Sequence, residues 1–279
     1  MKALWKGAIT FGLISIPVRL YSAVSEKGIK FHLLHEEDGG RIKYQRTCSK
    51  CGKEVSWDDI TKGYEYSKDH YVQFTADELE ALDVESVRAI DVVAFVPLEQ
   101  IDPIYFNKTY YVAPEPSGLK AYRLLSEALE AEGQVGVAKV ALREKEHLAT
   151  VRLKDDVFVL ETMHWPDEIR EPAFEELDKR IDVRDAEVKM ARQLVQQLSD
   201  DFRPEEFQDE YRKALEELVE KKVAGQEITV AEAPEEEPTK VVDLMEALKA
   251  SVEQAKKRKD AASSTTKKKS TTKRKASAG

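Results

Sequence analysis

Residues Ala8 to Val24 read AITFGLISIPVRLYSAV, and this stretch decides which fold class the chain can adopt. It is rich in β-branched and aromatic residues, and its apolar residues alternate with polar ones in two registers. Gly12 and Pro17 interrupt the alternation, which is typical of a bulge or a sharp bend in a strand. The stretch therefore predicts a bent strand, or two strands that meet at the corner of a barrel.

Further β-like segments follow, so that about seven strands and a few helices are expected before residue 165. A Thr75-x-x-Glu78 capping box predicts a short helix through Leu82. A second helix begins at Ser117, and Gly133 stops it. The predicted strands are Tyr71–Phe74, Val87–Val96, Tyr105–Val112, Val135–Leu142, Leu148–Leu153 and Val157–His164.

The character of the sequence changes after Trp165-Pro166, where the apolar residues recur at helical spacing. Helices are predicted at 185–198, at 205–224 behind Pro204, and at 241–256. The fold class is thus mixed β+α. The expected parts are a β-barrel core at 1–182, a helical arm at 183–225, an acidic linker at 226–238, a helix at 239–256 and a tail at 257–279.

The core contains a long polar excursion, residues 25–62, which we interpret as a β-hairpin turning at Asp38-Gly39-Gly40. Lys and Arg occur on both of its limbs. Residues 1–53 hold ten basic and four acidic side chains, although the whole chain has a net charge of −9. Excursions of this length are usually functional or disordered.

The C-terminal tail has the opposite charge to the rest of the chain. Residues 256–279 sum to +9 and contain no apolar residue larger than Ala, whereas the preceding residues sum to −18. Such a tail cannot bury enough surface to fold, so we expect it to be disordered and to tether the protein to a polyanion. Nucleic acid is the obvious polyanion, and a mere solubility tail is the competing interpretation.

Several classes of protein are disfavoured by the sequence. There is no N-terminal signal pattern and no apolar run long enough to span a membrane, so we expect a cytoplasmic, nucleoid-associated protein. No phosphate-cradling Gly loop, nucleophile elbow or His-Glu-x-x-His motif is present. We therefore expect a binding protein and not an enzyme.

Cys48 and Cys51 form a lone Cys-x-x-Cys pair, which is half of a structural zinc site. His32 and His35 lie close upstream and could complete the ligand set, although two histidines at this spacing on a strand would point to opposite faces. Two half-sites could instead meet across a dimer. The cysteines could also form an unmetallated thiol pair or a catalytic redox pair. Structural zinc is therefore the one cofactor left open, and no further cofactor is expected.

The segment Trp5 to Tyr21 resembles the opening strands of bacterial Ku, the DNA-end-binding protein of non-homologous end joining. The segment from Val241 to Lys249 looks like the C-terminal helix of that family. The resemblance covers nearly the whole chain in order. Further matching segments are Phe31–His35, Lys62–Tyr66, Tyr71–Leu79 and Lys120–Arg123.

The resemblance implies a Ku-type barrel whose long hairpin forms half of a bridge, with two subunits closing a ring around duplex DNA. It also implies that residues 239–256 recruit the multifunctional end-joining ligase, with Val241, Leu244, Met245 and Leu248 as contacts. DNA contacts should go to phosphates, because a break can occur at any sequence. The candidate DNA-binding residues are Arg19, Lys27, Lys30, Arg41, Lys43, Arg46, Lys50, Lys53, Arg123, Arg143, Lys267, Lys268, Lys269, Lys273, Arg274 and Lys275.

The function expected from these observations is binding of free duplex ends as a homodimer in double-strand break repair, together with recruitment of the ligase. The first rival is a nucleoid-associated protein that binds DNA only through its basic tail. The second is a zinc-dependent or thiol-redox enzyme built on Cys48 and Cys51.

Overall fold

The strands and helices of the chain were assigned on a computed structural model, which describes residues 1–81, 88–142, 145–225 and 245–257. The chain divides into two units, Met1–Pro172 and Ala173–Gly279. No helix within the described ranges combines the length and apolarity needed to cross a membrane.

Nine strands and one long helix make up most of the first unit. The helices are α1 (Ala76–Glu80) and α2 (Leu119–Glu132). The strands are β1 (Trp5–Phe11), β2 (Ile14–Ser22), β3 (Lys62–Ser67), β4 (His70–Phe74), β5 (Ala89–Pro97), β6 (Phe106–Pro114), β7 (Gln134–Leu142), β8 (Lys145–Lys154) and β9 (Val157–Met163).

The stretch Ala8 to Val24 forms two strands, β1 and β2, which pair antiparallel. Gly12 occupies the turn between them with a φ of 57°, a conformation that a residue with a Cβ rarely adopts. Along β2 the side chains of Ile16, Val18 and Leu20 are buried while Arg19 between them is exposed. Of the two predicted arrangements, two strands that meet at a turn is therefore the one the structure has.

Seven of the strands form a closed barrel in the order β1-β2-β6-β9-β8-β7-β5. Six of its seven strand pairings, which we call seams, are antiparallel. The seventh joins β1 and β5 in parallel through three residue pairs and closes the barrel. The predicted mixed β+α class with a barrel core is therefore confirmed. The exposed excursion leaves this barrel directly after β2.

Helix α2 packs on the barrel through Tyr122, Leu125 and Leu129, which are buried. Gly133 ends the helix with a φ of 62°, as predicted. The helix begins at Leu119 and not at Ser117 as predicted, because Ser117 belongs to a short 3₁₀ helix at Pro116–Gly118.

The second unit contains helices α3 (Asp185–Leu198) and α4 (Glu210–Val223), and a helix over 245–257. The predicted bounds of α3 are confirmed. The predicted start of α4 at residue 205 is wrong, because Pro204 opens a short 3₁₀ helix and the carboxylate of Asp209 caps the α-helix by accepting a bond from the Arg212 amide. Neither α3 nor α4 has a buried residue.

The excursion differs from the single long hairpin that the sequence suggested. The chain does turn at Asp38-Gly39-Gly40, but its limbs pair only at Leu34 and Arg41, and a second short turn with a bridge between Thr47 and Glu54 follows. The two limbs do not pair further, because each turn closes its own short loop by local backbone bonds.

Candidate nucleic-acid interface

The bridge segment, which we define as residues 24–81, leaves the barrel after β2 and leads back toward β5. It holds the two short turns, the β3–β4 hairpin and α1. Among its residues whose burial is described, none is buried. The predicted capping box of α1 is present, since Thr75 Oγ1 accepts a bond from the Glu78 amide and Glu78 accepts one from the Thr75 amide. The bridge segment therefore offers its side chains to a ligand rather than to a core.

The first half of the bridge segment has a net positive charge, and the second half has a net negative charge. Residues 27–53 carry seven basic and three acidic side chains, whereas residues 54–81 carry two basic and eight acidic ones. The cations of the first half form what we call the bridge cations, and all are exposed. They are Lys27, Lys30, Arg41, Lys43, Arg46, Lys50 and Lys53.

Two of the bridge cations are oriented by neighbouring rings. The guanidinium of Arg46 lies over the ring of Trp57, with its carbon 4.4 Å from the ring centroid. Arg41 Nη2 donates to His32 Nδ1 over 2.7 Å. Neither contact involves a carboxylate, so the positive charge of each arginine stays available to a phosphate.

Arg19 lies on barrel strand β2, outside the bridge segment. Its Nε donates to Glu115 Oε1 over 3.1 Å, and Lys6 Nζ lies 3.0 Å from the same oxygen. The hydrogen bond and the charge of Glu115 raise the pKa of Arg19, and hydrogen bonds from Lys6 and Arg19 lower the pKa of Glu115. Lys6 and Arg19 therefore share the single negative charge of Glu115.

The other predicted DNA contacts are not part of the bridge segment either. Arg123 is exposed on α2 and lines a small cleft with Tyr122, Pro114 and Asp156. Arg143 lies outside the described residues, as do the tail positions Lys267, Lys268, Lys269, Lys273, Arg274 and Lys275.

The two cysteines lie in the second turn of the bridge segment, where Cys48 is half-buried and Cys51 exposed. Backbone bonds from Cys51 and Lys50 to Cys48, a bond with the Cys51 side chain and the Lys50 charge lower the pKa of the Cys48 thiol. Of the upstream histidines, His32 contacts Arg41, and His35 Nδ1 lies 3.1 Å from Asp38 Oδ1. Within the described ranges, no three His, Cys, Asp or Glu side chains are gathered closely enough to hold a metal ion.

The predicted partner-binding helix is described from residue 245 onward. Met245 and Leu248 are half-buried, and Val252 and Ala255 on the same helix are buried. Val241 and Leu244 lie outside the described residues. The apolar side chains named for the described part of this helix are therefore half-buried or buried.

Sequence reasoning missed the aromatic surface of the β3–β4 hairpin. Tyr64, Tyr66 and Tyr71 are 57–65% exposed, and the hairpin turns at Asp69 with a φ of 62°. The signal was the alternation Tyr64-Glu65-Tyr66 followed by a polar turn, but the prediction placed Tyr71–Phe74 among the core strands. The bridge segment consequently extends beyond residue 62.

The comparison with protein families gives a match to the model of the Ku70/Ku80 β-barrel domain over residues 10–190. Three bacterial relatives are each named non-homologous end joining protein Ku. The protein from Frankia casuarinae is 48% identical over 92% of this chain, which spans 64% of that relative's length. The proteins from Desulfitobacterium hafniense and Bacillus subtilis are 44% and 41% identical, and the alignments cover 90% and 83% of their lengths.

Proposed function

This chain belongs to the Ku family, and from that membership we propose that it binds free ends of linear double-stranded DNA in repair by non-homologous end joining. The observation that carries the proposal is the bridge segment, an excursion anchored on a closed barrel with seven exposed cations in its first half. Its role is binding at the nucleoid, without catalysis.

The chemistry of the bridge cations suits a ligand of any sequence. Lys and Arg bind phosphates by charge and by charge-assisted hydrogen bonds, and such contacts carry no base information. The acidic second half of the segment would repel the backbone of DNA, so residues 27–53 are the face proposed to contact it.

We propose that the working unit is a homodimer. The helical arm, residues 183–225, exposes large apolar side chains, and neither of its α-helices has a buried residue. Examples are Val195, Leu198 and Phe202, which are 62–80% exposed. Exposed apolar surface of this extent marks an interaction site, and a second copy would close a ring with the two bridge segments.

Sedimentation analysis tests the dimer. Replacing Val195 and Leu198 by Glu should convert the protein to a monomer, because two charges would enter the proposed apolar interface. Replacing the neighbouring exposed polar residues Gln193 and Gln196 by Glu is the matched control. A variant that still sediments as the wild type would place the subunit contact elsewhere.

We further propose that residues 239–256 recruit the end-joining ligase, with Val241, Leu244, Met245 and Leu248 as contacts. Apolar residues at helical spacing after an acidic linker suit a helix that lies in a groove of a partner. Leu248→Glu should abolish stimulation of the ligase while DNA binding is unchanged. Stimulation at the wild-type level would refute this contact.

The decisive experiment compares binding to a linear duplex with binding to the same duplex closed into a relaxed circle. The full chain is used with all ten basic residues of 256–279 replaced by Gln, so that the tail cannot hold either DNA. Binding to the linear form alone supports a ring that is threaded from an end. Equal binding to both forms would refute it.

Charge variants then assign the DNA-binding face. Replacing Lys43, Arg46, Lys50 and Lys53 by Gln should weaken binding to linear duplex strongly at physiological salt. The matched control replaces four exposed lysines of α3 and α4, namely Lys189, Lys213, Lys221 and Lys222. If both variants lose affinity equally, the bridge segment has no special role.

The rival function, a nucleoid protein that acts through its tail, is favoured by the charge of +9 on residues 256–279. It predicts that the tail variant binds neither the linear nor the circular duplex. The same experiment therefore separates the two functions.

A further inference from the structure

The β3–β4 hairpin of the bridge segment has two faces, because successive residues of a strand point to opposite sides of a sheet. Its register is given by four opposed pairs of residues, and alternate pairs share a face. The pairs are Lys62 with Phe74, Gly63 with Gln73, Tyr64 with Val72 and Glu65 with Tyr71.

Among residues 62–74, which the structure describes throughout, one face of the hairpin carries rings and no carboxylate, and we call it the aromatic face. The register shifts between Glu65 and Ser67, so that Tyr66 is the extra residue of β3. The ring centroids of Tyr66 and His70 are 6.1 Å apart, and His70 alternates with Val72 along β4. The aromatic face is therefore formed by Lys62, Tyr64, Tyr66, His70, Val72 and Phe74.

The carboxylates of the hairpin lie away from the aromatic face. Glu65 is on the opposite face, where a Cβ added to Gly63 would lie 3.7 Å from that of Tyr71. Asp69 is at the turn, and its amide donates to Glu65 Oε1 over 2.9 Å. None of the six residues of the aromatic face thus carries a negative charge that would repel a phosphate.

The rings of the aromatic face are open to solvent. Tyr64 and Tyr66 are 65% and 61% exposed, and neither β3 nor β4 has a buried residue. A two-stranded hairpin on its own is only marginally stable in water. Rings that are exposed together on such a hairpin therefore mark a surface that binds a ligand.

Short contacts join the hairpin to the bridge cations. The amide of Val55 donates to the carbonyl of Arg46 over 2.9 Å, and the guanidinium of this arginine lies over the ring of Trp57. Four residues after Trp57, Thr61 Oγ1 donates to the carbonyl of Phe74 over 2.8 Å. Cations that suit phosphates and rings that suit bases thus belong to one continuous segment, which is the combination that binds single-stranded nucleic acid.

We propose that the aromatic face stacks with unpaired bases of a single-stranded overhang at the DNA end, with Tyr64 and Tyr66 as the stacking residues. Bases inside a duplex are stacked on each other, whereas those of an overhang expose their faces. Every base has such a face, so stacking suits an overhang of any sequence. The inference rests on the proposed function, because the bridge cations hold the adjoining duplex.

Binding of the full chain to a duplex with a short thymine overhang is compared with binding to the same duplex with blunt ends. Replacing Tyr64 and Tyr66 by Leu should lower affinity for the overhang duplex by about fivefold or more, because leucine is apolar but has no π-face. Affinity for the blunt duplex should not change. Replacing both tyrosines by Phe should keep the wild-type affinities. A 2-aminopurine placed in the overhang reports stacking by the quenching of its fluorescence, which only the Leu variant should lose.

Tyr71→Leu is the matched control, since this tyrosine is 57% exposed on the opposite face of the same hairpin. It should bind both duplexes as the wild type does. A loss that is the same for Tyr71→Leu, or the same for blunt and overhang duplexes, would overturn the proposal. So would a changed sedimentation coefficient of the Leu variant of Tyr64 and Tyr66, which would assign the aromatic face to a contact with a second copy.

Failure of the proposed function gives a different result. A wild type that binds the overhang duplex and a free thymine strand, but not the blunt duplex, would refute binding of duplex ends and retain the aromatic face as a site for single strands. A wild type that binds none of these DNAs would overturn both.

Discussion

Tyr122 joins α2 to the barrel through a single buried hydroxyl group. Its Oη donates to the Val112 carbonyl and accepts from the Phe158 amide, both over 2.7 Å, and its ring centroid lies 4.5 Å from that of Phe158. Val112 and Phe158 are paired between β6 and β9. The hydroxyl therefore satisfies backbone groups that the ladder leaves open, and burial raises the pKa of Tyr122.

Tyr122→Phe should lower the free energy of unfolding by about 1–3 kcal/mol, because a buried donor and a buried acceptor lose their partner. Denaturant unfolding measures this effect. Tyr211→Phe is the matched control, since Tyr211 is 77% exposed. Equal midpoints for the two variants would mean that water replaces the hydroxyl without cost.

Glu115 is a residue whose ion pairs should make stability depend on pH. Lys6 and Arg19 lower its pKa in the folded state. The stabilisation that Glu115 gives the fold is therefore complete above the pKa of a glutamate in the unfolded chain, about 4.3. This stabilisation is lost as the pH falls through the lower pKa that Glu115 has in the folded protein, because the unfolded chain binds the proton more readily. Glu115→Gln should therefore destabilise the protein at pH 7 and make little difference at the acid end.

Thermal unfolding at pH 7 and at successively lower pH checks this prediction. Glu99→Gln, at an exposed position, is the control. A gap between wild type and Glu115→Gln that stays constant or widens on acidification would contradict the assigned sign.

At the scale of elements, the parallel seam between β1 and β5 is the shortest strand pairing of the barrel. It pairs three residues of each strand, from Ala8 with Ala89 to Thr10 with Asp91. Gly7 borders this seam, and a Cβ placed there would lie 2.0 Å from the Arg88 carbonyl oxygen. The close approach of the two chains therefore requires glycine at this position.

Gly7→Ala should open the seam and cost at least about 1–3 kcal/mol, the usual range for overpacking. Hydrogen exchange of the Ala8 amide, which donates to the Arg88 carbonyl over 2.9 Å, reports the opening directly. Gly28→Ala is the control, since no atom lies within 4 Å of its added Cβ. Unchanged exchange at Ala8 would show that the seam can adjust.

The elements differ in how far the sequence predicts them. Alternation of apolar residues predicted the barrel strands, and Gly133 and the Thr75 capping box predicted helix ends, because these signals are local. The parallel pairing of β1 with β5 was not predictable, since it joins residues some eighty positions apart. Within the bridge segment, Asp38-Gly39-Gly40 marked the first turn correctly, but the second turn at Cys48–Lys53 was seen only from its backbone bonds.

At the scale of the whole molecule, acidic and basic side chains are distributed unevenly along the chain. Residues 1–255 carry a net charge of −18, although they include the seven bridge cations. An acidic exterior repels DNA from every surface except a local basic one. The negative charge would then confine DNA to residues 27–53 and to the tail.

The tail should contribute to affinity through counterion release without contributing to end specificity. Each phosphate neutralised on duplex DNA adds about −0.9 to the slope of log K against log salt. Replacing the six cations at 267–269 and 273–275 by Gln should therefore reduce the magnitude of the slope by up to about 5. Exchanging the lysines among them for arginine keeps the charge and should keep the slope. A slope that the Gln variant leaves unchanged would mean that these six cations do not contact DNA, and the phosphate contacts would then fall to the rest of the chain.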